Sequence, residues 1–365
     1  MLYKKELKNL KAYVPGKPIE AVKEEYGLDR IIKLASNENP IGPSPKAIKA
    51  IKDEADKVNI YPDTNATKLK NILSEKFGVK KNQIILGNGG EEIIKLLGMT
   101  IFNEGDEAIM AEPSFLLYEI AAAHMGAKPI KIPLKDNFEY DIDAFIDNIN
   151  ENTKLIYICN PNNPTGNIIS KDKIDYLVKN IPDDVFLLLD EAYYEFAIEN
   201  DEYPNGLEIL KNRKNTIVLR TLSKVAGIAG VRIGYAFANE ELVKEISKAS
   251  GVFNVNRIAQ AAACAALKDE KHIEKTVKLN YKSLNMITDY LDSKNKTYAK
   301  PNANFIFADI GLDSKMVFEK LQEKGIIIRP GYLWDKDTCI RISSGTVEQT
   351  QAFIDALDEI YENQG

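Results

Sequence analysis

Lys224 lies in TLSKVAGIAGVRIGY (221–235), just past an apolar run and among small apolar neighbours. The chain holds forty-one Lys, most of them solvated surface charges, so a Lys singled out by its flanks stands apart. An amine placed there loses hydration, and a nearby cation such as Arg232 further disfavours its protonated form. Together these effects can bring a Lys pKa down to roughly 7–8, the range that suits Schiff-base chemistry. Asp190 closes VFLLLD after five apolar residues, and Tyr193 and Tyr194 follow at once. Its carboxylate either meets water at a sheet rim or pairs with a cation. That cation is a structural Lys or Arg, or a protonated ring nitrogen of a cofactor.

Three further segments carry chemistry-bearing residues. NPNNPTG (160–166) sets the amides of Asn162 and Asn163 on a turn stiffened by two prolines, suited to a planar ligand or simply to turning the chain. GNGGEEII (87–94) is a glycine-rich loop entering a helix; it offers N–H groups to an anion, or is a tight strand–helix turn. Arg329 and Arg341 lie inside apolar runs, GIIIRPG and TCIRISSG. Only seven Arg occur, so an Arg kept inside an apolar segment points to the planar fork that grips carboxylate or phosphate.

The elements that must position these residues follow from periodicity. QIILG, EAIMAEP, KPIKIPL, KLIYIC, VFLLLD, TIVLRT and IGYAFA read as short apolar strands separated by helical stretches. That texture predicts a mostly parallel sheet covered by helices on both faces. Ligands bind beyond the carboxyl ends of such strands, where every segment above falls. The fold class is α/β: a large domain over 45–270, a smaller α+β domain over 275–365, and an N-terminal arm over 1–44 expected to be extended and to pack on the small domain or a partner. Ser170 is the expected cap of a helix over 171–180.

With 44% hydrophobic and 28% charged residues in 365, the chain has the composition of a globular protein. Its net charge of −6 and lack of a basic block argue against nucleic acid and membrane surfaces as partners. Two His and three scattered Cys (159, 264, 339) leave no metal cluster and no disulfide framework, and point to reduced thiols in a cytoplasm.

In order, LKAYVPGKP, KLASNENPIGPSP, YPD, GNGGEEII, EPSFLLYEIAA, NPNNPTG, DEAYYEF, TLSK, GVRIGY, FNVNRIAQAAA, GIIIRPG and CIRISSGT span nearly the whole chain. The set resembles the pyridoxal-phosphate-dependent aminotransferases of the aspartate aminotransferase superfamily, and most closely the histidinol-phosphate aminotransferases among them. The resemblance implies pyridoxal 5'-phosphate as cofactor, an amine donor and a 2-oxo acid acceptor as substrates, and a homodimer. It implies Lys224 as the cofactor-bonded lysine and proton carrier, Asp190 as partner of the ring nitrogen, and Asn163 and Tyr193 on the ring's phenolic oxygen. Phe115 takes the ring-stacking position, while Gly90, Glu91, Ser223 and Arg232 surround the phosphate. Tyr61 reaches that phosphate from the partner subunit. Arg341 grips a substrate carboxylate, and Tyr13, Asn37 and Arg329 contact substrate. Val225-Ala226-Gly227 stand where the family often carries an aromatic residue, a change expected to open the pocket. An aromatic amino-acid aminotransferase, a threonine-phosphate decarboxylase-like lyase and a non-catalytic binding protein share parts of the motif order.

Overall fold

In a computed structural model, which describes Lys5 and residues 17–363, thirteen strands are present. They are β1 (Ile32–Lys33), β2 (Ile84–Gly87), β3 (Glu107–Glu112), β4 (Lys128–Pro133), β5 (Thr153–Cys159), β6 (Phe186–Asp190), β7 (Thr216–Thr221), β8 (Gly234–Phe237), β9 (Thr297–Tyr298), β10 (Phe305–Asp309), β11 (Ile326–Ile327), β12 (Arg329–Pro330) and β13 (Cys339–Ser343). Seven form one sheet in the order β2-β8-β7-β6-β5-β3-β4. β8 is antiparallel to both of its neighbours and the remaining pairs are parallel. The predicted mostly parallel sheet is therefore present.

Strand side chains alternate between faces, so an apolar strand buried on both sides divides its residues between two layers. Leu155, Tyr157, Cys159, Leu188, Ile217 and Leu219 pack with the helices Gly90–Ile101, Leu117–His124 and Glu240–Ala249. The residues between them, Ile156, Ile158, Leu187 and Leu189, pack with Ile142–Asp147 and Lys171–Asn180. Both faces are covered, as continuous apolar runs require. Ser170 does precede Lys171–Asn180, but its side chain makes no capping hydrogen bond.

The alternation decides where charges go. Asp190 shares the parity of Leu188, whereas Glu191 and Arg220 fall on the opposite face. There the Arg220 Nε donates to Glu191 Oε2 at 2.8 Å, and Nη2 lies 2.7 Å from the same oxygen. Both side chains are at most 2% exposed. The Tyr194 ring lies 3.5 Å from the guanidinium carbon. One buried ion pair thus ties the ends of β6 and β7 beneath the two loops that carry Asp190 and Lys224.

β12-β13-β10-β9 form a second, antiparallel sheet. Ile340 and Ile342 of β13, with Ile306 and Ala308 of β10, enter a core with Ile287, Val317 and Phe353. Arg341, between the two isoleucines, points away from that core by the same period of two.

The arm differs from the expected extended chain. Ile19–Tyr26 is a helix, closed by Gly27 at φ 65° with its N–H on the Lys23 carbonyl. Prolines cluster on either side, but IEAVKEEY itself holds no breaker, and Val22 is buried. β1 then pairs with β11, anchoring the chain before Ala35.

Removing one partner of the Arg220–Glu191 pair strands a buried charge. Arg220→Met is expected to destabilise the fold by about 3–5 kcal/mol, and adding Glu191→Leu to recover most of that loss. Urea unfolding of both variants measures this; equal midpoints for the single and double variants would contradict it.

Candidate active site

The carboxyl ends of the parallel strands bring the candidate residues together. Asp190 ends β6 at 3% exposure. Its Oδ2 accepts a hydrogen bond from the Tyr118 hydroxyl at 2.7 Å, and Oδ1 accepts from the Ala192 N–H at 3.1 Å. Burial pushes its pKa up to about 6, opposed by these two donors. Among the described residues no Lys, Arg or His lies within ion-pair distance of it. Tyr118 is itself fully buried, stacks on Tyr157 (4.6 Å between centroids, 15°) and meets the Phe115 ring edge-on at 5.6 Å. One buried tyrosine therefore fixes the Asp190 carboxylate and the Phe115 ring.

A second network joins the two sheets. The Tyr193 hydroxyl accepts from Asn37 Nδ2 at 3.0 Å and from Asn163 Nδ2 at 3.3 Å. Asn163 Oδ1 accepts from Arg341 Nη1 at 2.6 Å, and the Ala35 carbonyl accepts from Nη2 at 2.6 Å. Asn37, at φ 55°, is held by Ser343, whose hydroxyl donates to Asn37 Oδ1 and accepts from its N–H. Phe305 and Trp334 lie 5.3 and 5.5 Å from the Arg341 guanidinium carbon. Arg329 is the cross-strand partner of Arg341, so the two guanidinium-bearing residues share a face of the small sheet.

Lys224 follows β7 and is half-buried; its Nζ donates to the Ser36 carbonyl at 3.0 Å. Burial first, and the Arg341 guanidinium next, hold its amine down at about 8; Glu38 opposes this, and Arg232 adds to it. The depression expected from the flanks is present, with Arg341 as the main charge in place of the nearer-in-sequence Arg232.

The helix Gly90–Ile101 begins where β2 ends, so its first N–H groups have no partner within the helix. Gly89 sits at φ 81°, and a Cβ there would lie 2.5 Å from Arg232 Nη2. The glycine thus admits the guanidinium against the helix start. Ser223 is buried nearby, its N–H and hydroxyl engaged by Thr221. Glu91 corrects one expectation: its carboxylate pairs with Lys95 at 2.7 Å along the helix surface, leaving only backbone for the anion.

Other expectations also change. Asn162 does not face the site: Ser114 and Tyr140 donate to its carbonyl oxygen, and its amide nitrogen donates to the Pro113 carbonyl and to Thr165. Of the two asparagines, Asn162 locks the turn and Asn163 is presented. Val225 and Ala226 are buried in the apolar core, so the smaller side chains are covered and leave no opening. Tyr61 lies apart from this cluster with its ring 75% exposed. Tyr13 falls outside the described residues. Reading the sequence missed Tyr118. Its place one helical turn after Phe115, in a segment where a phenol needs a buried acceptor, was the available signal.

The family model of aminotransferase class I and II matches residues 29–357. The chain is 45% identical to histidinol-phosphate aminotransferase of Caldicellulosiruptor saccharolyticus, over 98% of this chain and 100% of that one. It is 44% identical to the protein of the same name from Moorella thermoacetica, over 96% and 91%. The crystal structure of histidinol-phosphate aminotransferase from Sinorhizobium meliloti in complex with pyridoxal-5'-phosphate superimposes with a TM-score of 0.90 at 26% identity, covering 100% of this chain and 98% of that one.

The Lys224 environment is testable without any ligand. Acetic anhydride labelling followed by peptide mass spectrometry is expected to show Lys224 gaining reactivity through pH about 8, as its amine loses a proton. Surface lysines respond near their ordinary value of roughly 10.4. Arg341→Met removes the largest opposing charge and is expected to move the Lys224 midpoint upward. A midpoint among the surface lysines in the unmodified chain would contradict the reading.

Proposed function

The chain belongs to the class I and II aminotransferases, and from that membership we propose that it transfers the amino group of histidinol phosphate to 2-oxoglutarate. The products are imidazole acetol phosphate and glutamate, in a step of histidine biosynthesis. The substrate choice is carried by the 45% identity, over 98% of this chain, to histidinol-phosphate aminotransferase of Caldicellulosiruptor saccharolyticus. Histidinol phosphate brings one doubly charged phosphate and 2-oxoglutarate brings two carboxylates, whereas phenylalanine brings a single carboxylate. Arg341 serves the carboxylate of the acceptor and of glutamate, with Asn37, Tyr13 and Arg329 contacting substrate.

The residues fit pyridoxal phosphate. Asp190 is a buried acceptor with no cation beside it among the described residues, and Gly89 with Arg232 leaves a cradle that a Cβ would fill. Asp190 would meet the ring nitrogen, Phe115 the ring face, and Asn163 with Tyr193 the phenolic oxygen. Arg232, Ser223 and the backbone of Gly90 and Glu91 would hold the phosphate, joined by Tyr61 of a second copy. When bound, the cofactor supplies an aldehyde carbon for the amine and a ring that accepts electrons. The chain's own residues do the rest. Lys224, with its amine held near neutrality, takes a proton from the substrate carbon side at Nζ and returns it elsewhere. Asp190, ionised above about 6, would help keep a bound ring nitrogen protonated. Arg341, fixed by Asn163 and the Ala35 carbonyl, orients each acid in turn.

In this reading residues 45–270 hold the cofactor and 275–365 close on the substrate, with the arm before 45 beside them. The enzyme works as a homodimer, supported by the exposed rings and aliphatic side chains around Tyr61. It works in the cytoplasm, a placement supported by three separate, buried free thiols.

Steady-state kinetics tests the substrate. Histidinol phosphate is expected to exceed phenylalanine at least tenfold in kcat/KM. Arg329→Met should cut the histidinol phosphate value by about 10- to 100-fold, from loss of a charge-assisted phosphate contact, while changing phenylalanine far less. A tenfold preference for phenylalanine, or CO2 release from O-phosphothreonine, would overturn the assignment.

A further inference from the structure

The motif FNVNR (253–257) has no part in the site described above, yet it contacts the segments that carry the Gly87–Gly90 loop, Arg232 and Tyr61. Asn254 Nδ2 donates to the Leu86 carbonyl and to Glu92 Oε2, both at 3.1 Å, one on each side of the Gly87–Gly90 loop. Glu92 Oε2 in turn accepts from the Asn88 N–H at 2.6 Å. Asn256 Nδ2 donates to the Val231 carbonyl at 3.1 Å, at the residue before Arg232. Arg257 reaches the other way. Its Nε donates to the Ile60 carbonyl at 3.3 Å and its Nη2 to the Tyr61 carbonyl at 3.1 Å, while Nη1 meets Glu54 at 3.1 Å. Phe253 holds a left-handed backbone at φ 61°, costly for a bulky side chain, and its ring stacks on Tyr61 at 4.5 Å and 14°.

These contacts act on the segment that carries Tyr61, and among the described residues Phe253 is the one ring that stacks on it. Tyr61 is 75% exposed, beside Val58, Ile60 and Val252, which are 64%, 56% and 75% exposed. A surface loop with such a ring would ordinarily sample many orientations. A guanidinium bonded to two successive carbonyls, and itself paired with Glu54, fixes the backbone from which the ring projects. The opposite end of the same five residues braces the chain's own phosphate cradle.

We infer that Arg257, with Phe253, is a positioning residue that presents Tyr61 to the cofactor phosphate of a second copy, and that FNVNR links that reach to the phosphate cradle of its own subunit. The inference rests on the cross-subunit role of Tyr61 proposed above. It assigns Arg257 no contact with cofactor or substrate. Its effect should therefore appear only where the phosphate is present to be gripped.

The test compares pyridoxal phosphate with pyridoxal, which lacks the phosphate, as ligands of the full-length protein stripped of cofactor. Dissociation constants are read by visible absorbance, and sedimentation equilibrium gives the oligomeric state. Arg257→Met is expected to weaken pyridoxal phosphate by about five- to tenfold, the loss of one oriented hydrogen bond, and to leave pyridoxal within about twofold. Arg257→Lys, which keeps the charge but not the fork, should show the same selectivity at smaller amplitude. In a Tyr61→Phe background, Arg257→Met should add less than about twofold, since the group it positions is already gone. The inference is overturned if both ligands weaken equally, if the effects of Arg257→Met and Tyr61→Phe are fully additive, or if Arg257→Met yields monomers, which would make it an interface residue. If Tyr61→Phe by itself leaves pyridoxal phosphate binding unchanged, the cross-subunit role falls and the inference falls with it. If Tyr61→Phe weakens binding and Arg257→Met does not, only the positioning role fails.

Discussion

A carboxylate buried to 3% exposure, with no cation in ion-pair reach among the described residues, is the constraint around which this molecule is organised. Burying such a group is costly unless donors surround it and an opposite charge arrives. Tyr118 and the Ala192 N–H supply the donors, and they partly offset the burial that raises the Asp190 pKa. The remaining demand is for a cation, which the ring nitrogen of pyridoxal phosphate would meet in the proposed function. The sheet parity that aims Asp190 into the site aims Glu191 to the other face, where Arg220 neutralises it. Two neighbouring carboxylates thus have opposite surroundings: Glu191 is paired with Arg220 within the fold, and Asp190 has hydrogen-bond donors but no ion pair among the described residues.

The positive side of the site follows the same economy of placement. Arg341 is carried outward by strand alternation between two core isoleucines, then oriented by Asn163 and the Ala35 carbonyl. Its charge, with burial, lowers the Lys224 amine. The arm is part of this arrangement, since Ala35, Ser36 and Asn37 contact Arg341, Lys224 and Tyr193 respectively. A chain with net charge −6 can hold anions because a few guanidinium groups are fixed locally, not because the surface attracts them.

Much of this was legible in the residues. Continuous apolar strands announced a sheet covered on both faces, with Asp190 at the end of β6 and Asn163 and Lys224 in the loops after β5 and β7, where ligands bind. Scarcity of Arg singled out Arg341. What stayed hidden depends on direction and partners, which composition does not encode. Asn162 and Asn163 are identical in type and adjacent, yet one is consumed by Ser114, Tyr140, Pro113 and Thr165 while the other is presented. Glu91 looked available until its partner Lys95, four residues on, claimed it. Tyr118 read as one more apolar helix residue because its acceptor is 72 residues away. The helix at Ile19–Tyr26 was masked by the prolines that flank it.

In the proposed function this buried acceptor, the glycine–arginine cradle and the low-pKa lysine hold pyridoxal phosphate through a covalent bond to Lys224. Adding pyridoxal phosphate to the purified protein, reducing with borohydride and mapping the modified peptide tests it most directly. The expected result is a yellow protein whose stable cofactor adduct sits on Lys224, and a Lys224→Ala variant with neither the visible band nor the adduct. A wild-type protein that stays colourless with added cofactor, or an adduct on another of the forty-one lysines, would contradict it.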